Sequence, residues 1–156
     1  MKRTAPTSNS LPNGVLIYGA LGLLILLSAA GNLFWLQQNV VQLGHDASAH
    51  LSRTLKVAAA MTEPSLAALM RGLTVTDFRP PALYLAAQPF YWLFGRSLDS
   101  AQLANVAIMA LILLFTFLLA RTMLAEQAAR TRDLLALLAA ALAALLPMLL
   151  AMSRLF

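Results

Sequence analysis

Two stretches of this chain run for more than twenty positions without a charged residue, Gly14 to Leu36 and Ser100 to Ala120, and Leu134 to Met152 runs nearly as far. An α-helix rises about 1.5 Å per residue, so about 20 residues cross the roughly 30 Å hydrocarbon core of a bilayer. Helices are the state such runs must adopt in lipid, because an open strand would leave its backbone N–H and C=O groups unpaired there. Only 11% of the residues are charged, where about 25% is usual for a soluble domain that must cover its surface. The expected fold class is therefore an all-α integral membrane protein with three transmembrane helices. A loop of amphipathic and juxtamembrane helices is expected between the first and second.

Orientation follows from the basic residues beside the runs. Lys2 and Arg3 precede the first run with no acid among them, and Arg121, Arg130 and Arg132 crowd the link between the second and third. Arg53, Lys56, Arg71, Arg79 and Arg96 are spread thinly over the long middle segment. Positive density places the N-terminus and the link in the cytoplasm and the middle segment outside, in a multi-pass cell-membrane topology. The expected layout is a disordered cytoplasmic tail over 1–13, spans over 14–36, 100–120 and 134–152, and an extracytoplasmic loop over 37–99. A cytoplasmic link over 121–133 and the start of a further outer loop at 153–156 complete it. Lys2, Arg3, Val15 to Leu27 and Ser28-Ala29-Ala30 also fit a cleavable signal peptide. Leu33 to Leu36 prolong the run past the usual 7–15 residues, which favours an uncleaved helix.

The net charge of +5 is accounted for by topology and lipid phosphates, and no basic patch with interleaved aromatics points to nucleic acid. Cysteine is absent, which excludes disulfides and thiolate chemistry.

In the middle segment, Asp46 is placed to cap a helix reaching about Met61. On it Asp46, His50 and Arg53 share one face, and Ala47, Leu51, Leu55 and Ala58 form an opposing apolar stripe. A second helix is expected from Glu63-Pro64 to Gly72, with extended or turning chain over Thr74 to Phe78. A third starts at Pro81, is kinked by Pro89 and ends at Gly95, after which Ser97 or Asp99 caps the second span. Asn105 lies about one turn into that span. In the third span Ala136, Ala140 and Ala144 repeat at four-residue spacing, which lets helices approach closely in lipid, and Pro147 loosens or kinks its last turns.

Candidate chemistry is confined to the middle segment. Asp46 reads either as a general base for an acceptor hydroxyl or as a helix cap. His45 and His50, five apart, lack the spacing of zinc-binding helix pairs; Asp46 and His50 have i, i+4 spacing but no third ligand. Arg79, held extended before Pro80-Pro81, reads either as a bidentate phosphate ligand or as an interfacial anchor.

The order of these features resembles the start of the polytopic GT-C glycosyltransferases. The closest branch is glycosyltransferase family 39, with its protein O-mannosyltransferases and aminoarabinose transferases. The resemblance is carried by Gly44-His45-Asp46-Ala47-Ser48-Ala49-His50-Leu51, Phe78-Arg79-Pro80-Pro81-Ala82-Leu83-Tyr84, Leu93-Phe94-Gly95, and Leu145-Leu146-Pro147 through Ser153-Arg154. It implies transfer of a sugar from a polyprenyl-phosphate donor to an acceptor outside the cytoplasm. Asp46 would be the catalytic acid–base residue of the first outer loop, although Ala47 stands where the family usually has Glu, and His50 where it often has Tyr. Arg79, with His50 and Tyr84, would bind substrate or the lipid phosphate. No cofactor is implied beyond the lipid-linked donor, with a divalent metal possible in the family. The resemblance further implies membrane lipid and the remaining transmembrane helices of a longer chain as partners, this stretch being an N-terminal portion inactive alone. The alternative is a small non-catalytic three-helix membrane protein that binds a partner or lipid through its outer amphipathic segment.

Overall fold

The computed structural model describes residues 13–38, 45–75 and 81–152. Among these the chain is helical with no strand. It contains α1 (Asn13–Gln38), α2 (His45–Ala60), α3 (Leu66–Val75), α4 (Ala82–Ala86), α5 (Gln88–Phe94), α6 (Leu98–Met123), α7 (Ala129–Leu145) and α8 (Pro147–Met152). The long helices α1, α6 and α7 pack on one another, while α2 to α5 form a second layer whose α2 and α5 rest on α6.

Helices α1 and α6 have 26 residues each and reach about 39 Å at about 1.5 Å per residue, long and apolar enough to cross a membrane. Neither is the hidden core helix of a soluble domain. On α1, Leu16, Leu23, Leu26, Leu27 and Phe34 are exposed, and so are Leu111, Phe115, Leu118 and Leu119 on α6. α7 adds Leu134, Leu138, Leu142 and Leu145. Exposed apolar surface on that scale suits contact with a membrane or with protein partners.

The 134–152 stretch is not one helix, which narrows the three-span expectation to two spanning helices among the described residues. α7 has 17 residues, about 26 Å, and its first five, Ala129-Arg130-Thr131-Arg132-Asp133, include three charged ones. Pro147 drives Leu146 out of the helical region to φ −65°, ψ 120°, because proline disfavours the α conformation in the residue before it. The six-residue α8 follows the break. The alanine stripe does pack as a helix contact: Ala136 and Ala140 are fully buried with Leu21 of α1 and Phe117 of α6.

The second layer is built differently from its expected form. α2 begins at His45, so Asp46 falls in its first turn and is not the residue before it. Its buried stripe is Thr54, Val57, Ala58 and Met61, whereas Leu55 is 37% exposed. Two guanidinium groups satisfy carbonyls at its C-terminal end: Arg96 Nη2 donates to Ala58 O at 2.8 Å and Arg71 Nε donates to Ala60 O at 3.1 Å. Cations there also meet the negative end of the helix dipole. This gives both arginines a structural partner that surface or head-group charge does not describe.

α3 starts later than Glu63-Pro64 and is capped by Ser65, whose Oγ accepts from Ala68 N at 3.1 Å. It runs through Gly72 to Val75. Gly72 is not its stop signal but a contact point with α2. A Cβ there would stand 2.7 Å from Met61 Sδ and 3.3 Å from Val57 Cγ1. α4 and α5 are parted by a turn at Ala87, just before Gln88-Pro89, so the expected proline kink is a break between two short helices. Gly95, at φ +85°, closes α5. Ser97 caps α6, its Oγ accepting from Ser100 N at 3.1 Å, and Asp99 lies in the first turn.

Candidate functional site

The residues singled out from sequence fall on α2, on α4, and on the stretch just before α4. Asp46 is placed by its backbone one turn ahead of His50 on α2; its side chain lies outside the described residues. Arg79 also lies outside them, three positions before α4 begins at Ala82. His50 and Tyr84, 34 residues apart, are brought together: His50 Nδ1 and the Tyr84 hydroxyl share a hydrogen bond of 3.0 Å. Their rings lie 5.7 Å apart between centroids, tilted by 40°. With the tyrosine donating, the ring proton of His50 sits on Nε2, so the imidazole offers a donor on that side.

The pair is held from both helices. Thr54, one turn after His50, is buried and donates its hydroxyl to His50 O at 2.9 Å. Tyr84 is only 1% exposed and packs among Val57, Met61 and Ala68. Its position is that of a residue fixing His50 and joining α2 to α4, not of one facing an open cleft. Its carbonyl accepts from Gln88 Nε2 at 2.6 Å, and the same nitrogen reaches Thr54 O at 3.5 Å. One buried amide thereby ties α2, α4 and α5 together.

Gln88 and Tyr91 carry the polar atoms that sequence reasoning missed. Both side chains are buried, and neither Gln88 Oε1 nor the Tyr91 hydroxyl has a hydrogen-bond partner. A buried polar atom left unpaired costs about 1–3 kcal/mol. Burial pushes the Tyr91 phenol up to about 12, against a smaller opposing pull from Arg96. The sequence signal was slight: a glutamine and a tyrosine three apart in an otherwise apolar, proline-started helix.

A second cluster joins the other ends of the long helices. Arg121 Nη1 donates to the Tyr18 hydroxyl at 2.6 Å, and Arg121 Nε to Asp133 Oδ1 at 2.8 Å. Arg132 Nε reaches the same oxygen at 3.1 Å. The Arg121 guanidinium also lies 5.6 Å from the Tyr18 ring centre and 5.7 Å from that of Phe117, within range of cation–π attraction. Desolvation raises the Asp133 carboxyl, but the hydrogen bonds from Arg132 and Arg121 outweigh it and hold the group below its ordinary value. Beside this cluster, an apolar groove of about 960 Å³ runs along α6.

Among the described residues, no three His, Asp or Glu side chains come together as metal ligands. Compared with known proteins, the chain matches no family model, and no curated protein and no solved structure matches it.

Proposed function

We propose that this chain is the N-terminal part of a membrane glycosyltransferase. It would move a sugar from a polyprenyl-phosphate donor to an acceptor on the extracytoplasmic side, with α1, α6 and the broken α7–α8 pair as its first three passes. The observation that carries the proposal is the His50–Tyr84 hydrogen bond. It joins α2, the helix bearing Asp46, to α4, the helix that begins three positions after Arg79 in the sequence. In this reading Asp46 deprotonates or orients the acceptor, and Arg79 stabilises the departing phosphate. His50 contacts substrate, and Tyr84 positions it from within the packing.

The test is transfer of labelled sugar from a polyprenyl-phosphate-linked donor by membranes carrying the full-length protein. Asp46→Asn is expected to abolish transfer while insertion and abundance stay unchanged; undiminished transfer would remove Asp46 from catalysis.

One observation favours the other reading, a non-catalytic membrane protein that binds lipid or a partner through its middle segment. Leu66, Met70 and Leu73, spaced four and three along α3, are exposed at 74%, 55% and 38%. Such a stripe suits a helix lying in a membrane interface. Absence of any transfer activity in the full-length protein, with this helix still needed for membrane contact, would favour it.

A further inference from the structure

The groove along α6 combines two chemistries that one class of ligand satisfies. Its long wall is apolar, with Ile108, Ile112, Phe115 and Leu119 among its lining, and Arg121 and Arg132 stand at one end. From Ile108 to Arg121 the wall spans about 20 Å at about 1.5 Å per residue. That is close to one leaflet, about half of a roughly 30 Å core, plus the start of the head-group region.

The arginines are oriented, not free to swing. Asp133 accepts from the Nε of both, and the Arg132 and Asp133 side chains are only 26% and 16% exposed. One carboxylate against two guanidiniums leaves a positive charge at the groove's end. Among the described residues Arg132 is bonded through Nε alone, which leaves its terminal nitrogens for an anion. Guanidinium groups suit phosphate because they can donate two parallel hydrogen bonds.

We infer that this groove binds an anionic phospholipid, with its phosphate on Arg121 and Arg132 and an acyl chain along α6 from Leu119 towards Ile108. A second transmembrane helix would fit the apolar wall equally well. It would also have to bring an acidic group to the membrane surface beside these arginines, which lipid phosphate supplies without further design. The inference rests on the membrane-spanning reading of α6 and not on glycosyl transfer.

The experiment is native mass spectrometry of the full chain in mild detergent, with phosphatidylglycerol or phosphatidylcholine added at equal concentration. Retention of the anionic lipid is expected to exceed that of the zwitterionic one by roughly fivefold or more, the scale of one basic residue at a membrane surface. Arg132→Ala is expected to bring the two lipids within about twofold of each other. Arg130→Ala is the control, since Arg130 lines a different cavity with Gly14 and Ile17, and should preserve the preference. Equal retention of both lipids by the unaltered chain would overturn the inference, as would a preference that survives Arg132→Ala. Equal loss in the two variants would show diffuse charge attraction and overturn it too, as would an oligomer that covers the groove and carries no lipid. Extraction of the chain by alkaline carbonate would instead strike at the membrane reading itself, so the two failures are distinguishable.

Discussion

Gly72 gives a prediction whose size follows from three distances. An alanine Cβ at this position would meet Met61 Sδ at 2.7 Å, Met61 Cγ at 2.9 Å and Val57 Cγ1 at 3.3 Å. Met61 is itself buried in the cluster with Ala68 and Tyr84, so its side chain has little room to retreat. Overpacking of this kind costs about 1–3 kcal/mol, while replacing glycine by alanine inside a helix returns about 1 kcal/mol. The net for Gly72→Ala is a loss of about 0–2 kcal/mol. The control is Gly31→Ala in α1, where an added Cβ meets nothing within 4 Å and only the helix term remains. The decisive quantity is the difference between the two variants, about 1–3 kcal/mol, the overpacking term alone. Reversible unfolding in mixed micelles, followed by far-ultraviolet circular dichroism, measures it. A Met61→Ala, Gly72→Ala double variant should be less damaged than the sum of its parts by about 1 kcal/mol or more, since the added methyl then fills the space vacated. If Gly72→Ala proves as stabilising as Gly31→Ala, or the pair is additive, α3 does not pack on α2 as described.

Two further predictions concern titratable groups. Tyr91→Phe keeps the ring and removes an unpartnered hydroxyl, so it should stabilise the protein by about 1 kcal/mol near neutral pH. The phenol's folded value is raised, so its contribution is intact below pH about 10 and lost as pH climbs through about 12; thermal unfolding from pH 8 upwards should show a fall that the variant lacks. Asp133 has the opposite sign. Its folded value is depressed, so its stabilisation is present above about 3.9, the ordinary Asp value, and disappears as pH falls through the folded value. Asp133→Asn should lower the thermal midpoint at neutral pH and remove that acid-side decline; a midpoint unchanged by the substitution would mean the Arg121 and Arg132 contacts contribute nothing measurable.

The long helices were legible because a long run without charge is read from the sequence alone and needs no knowledge of neighbours. Ser97 and Gly95 were legible for a related reason: caps and left-handed turns are decided within a few residues. Gly72 was misread because a glycine that stops a helix and one that admits a neighbour look alike along the chain. The buried face of α2 was read in part: Leu51 and Ala58 do pack into the core, but Thr54 is wholly buried while Leu55 is exposed. Thr54 can be buried because its own hydroxyl is satisfied by His50 O, while its carbonyl accepts from Gln88 of α5. Pro147 was visible as a kink, yet its consequence, a helix too short to span by itself, depends on where α7 begins. His50 and Tyr84 were each marked by resemblance, but their contact was not. The Gln88 tie and the Arg121 clamp had no local pattern at all, being made between elements distant in sequence.

That clamp bears on how the protein is made. Tyr18 and Arg121 are separated by 103 residues, and at roughly 5–20 residues per second of synthesis the first waits on the order of 5–20 s for the second. For most of that interval, until synthesis reaches Leu98, α1 has neither α6 nor α7 to lie against. Its largely exposed apolar surface is what α1 has to offer its surroundings until those neighbours arrive.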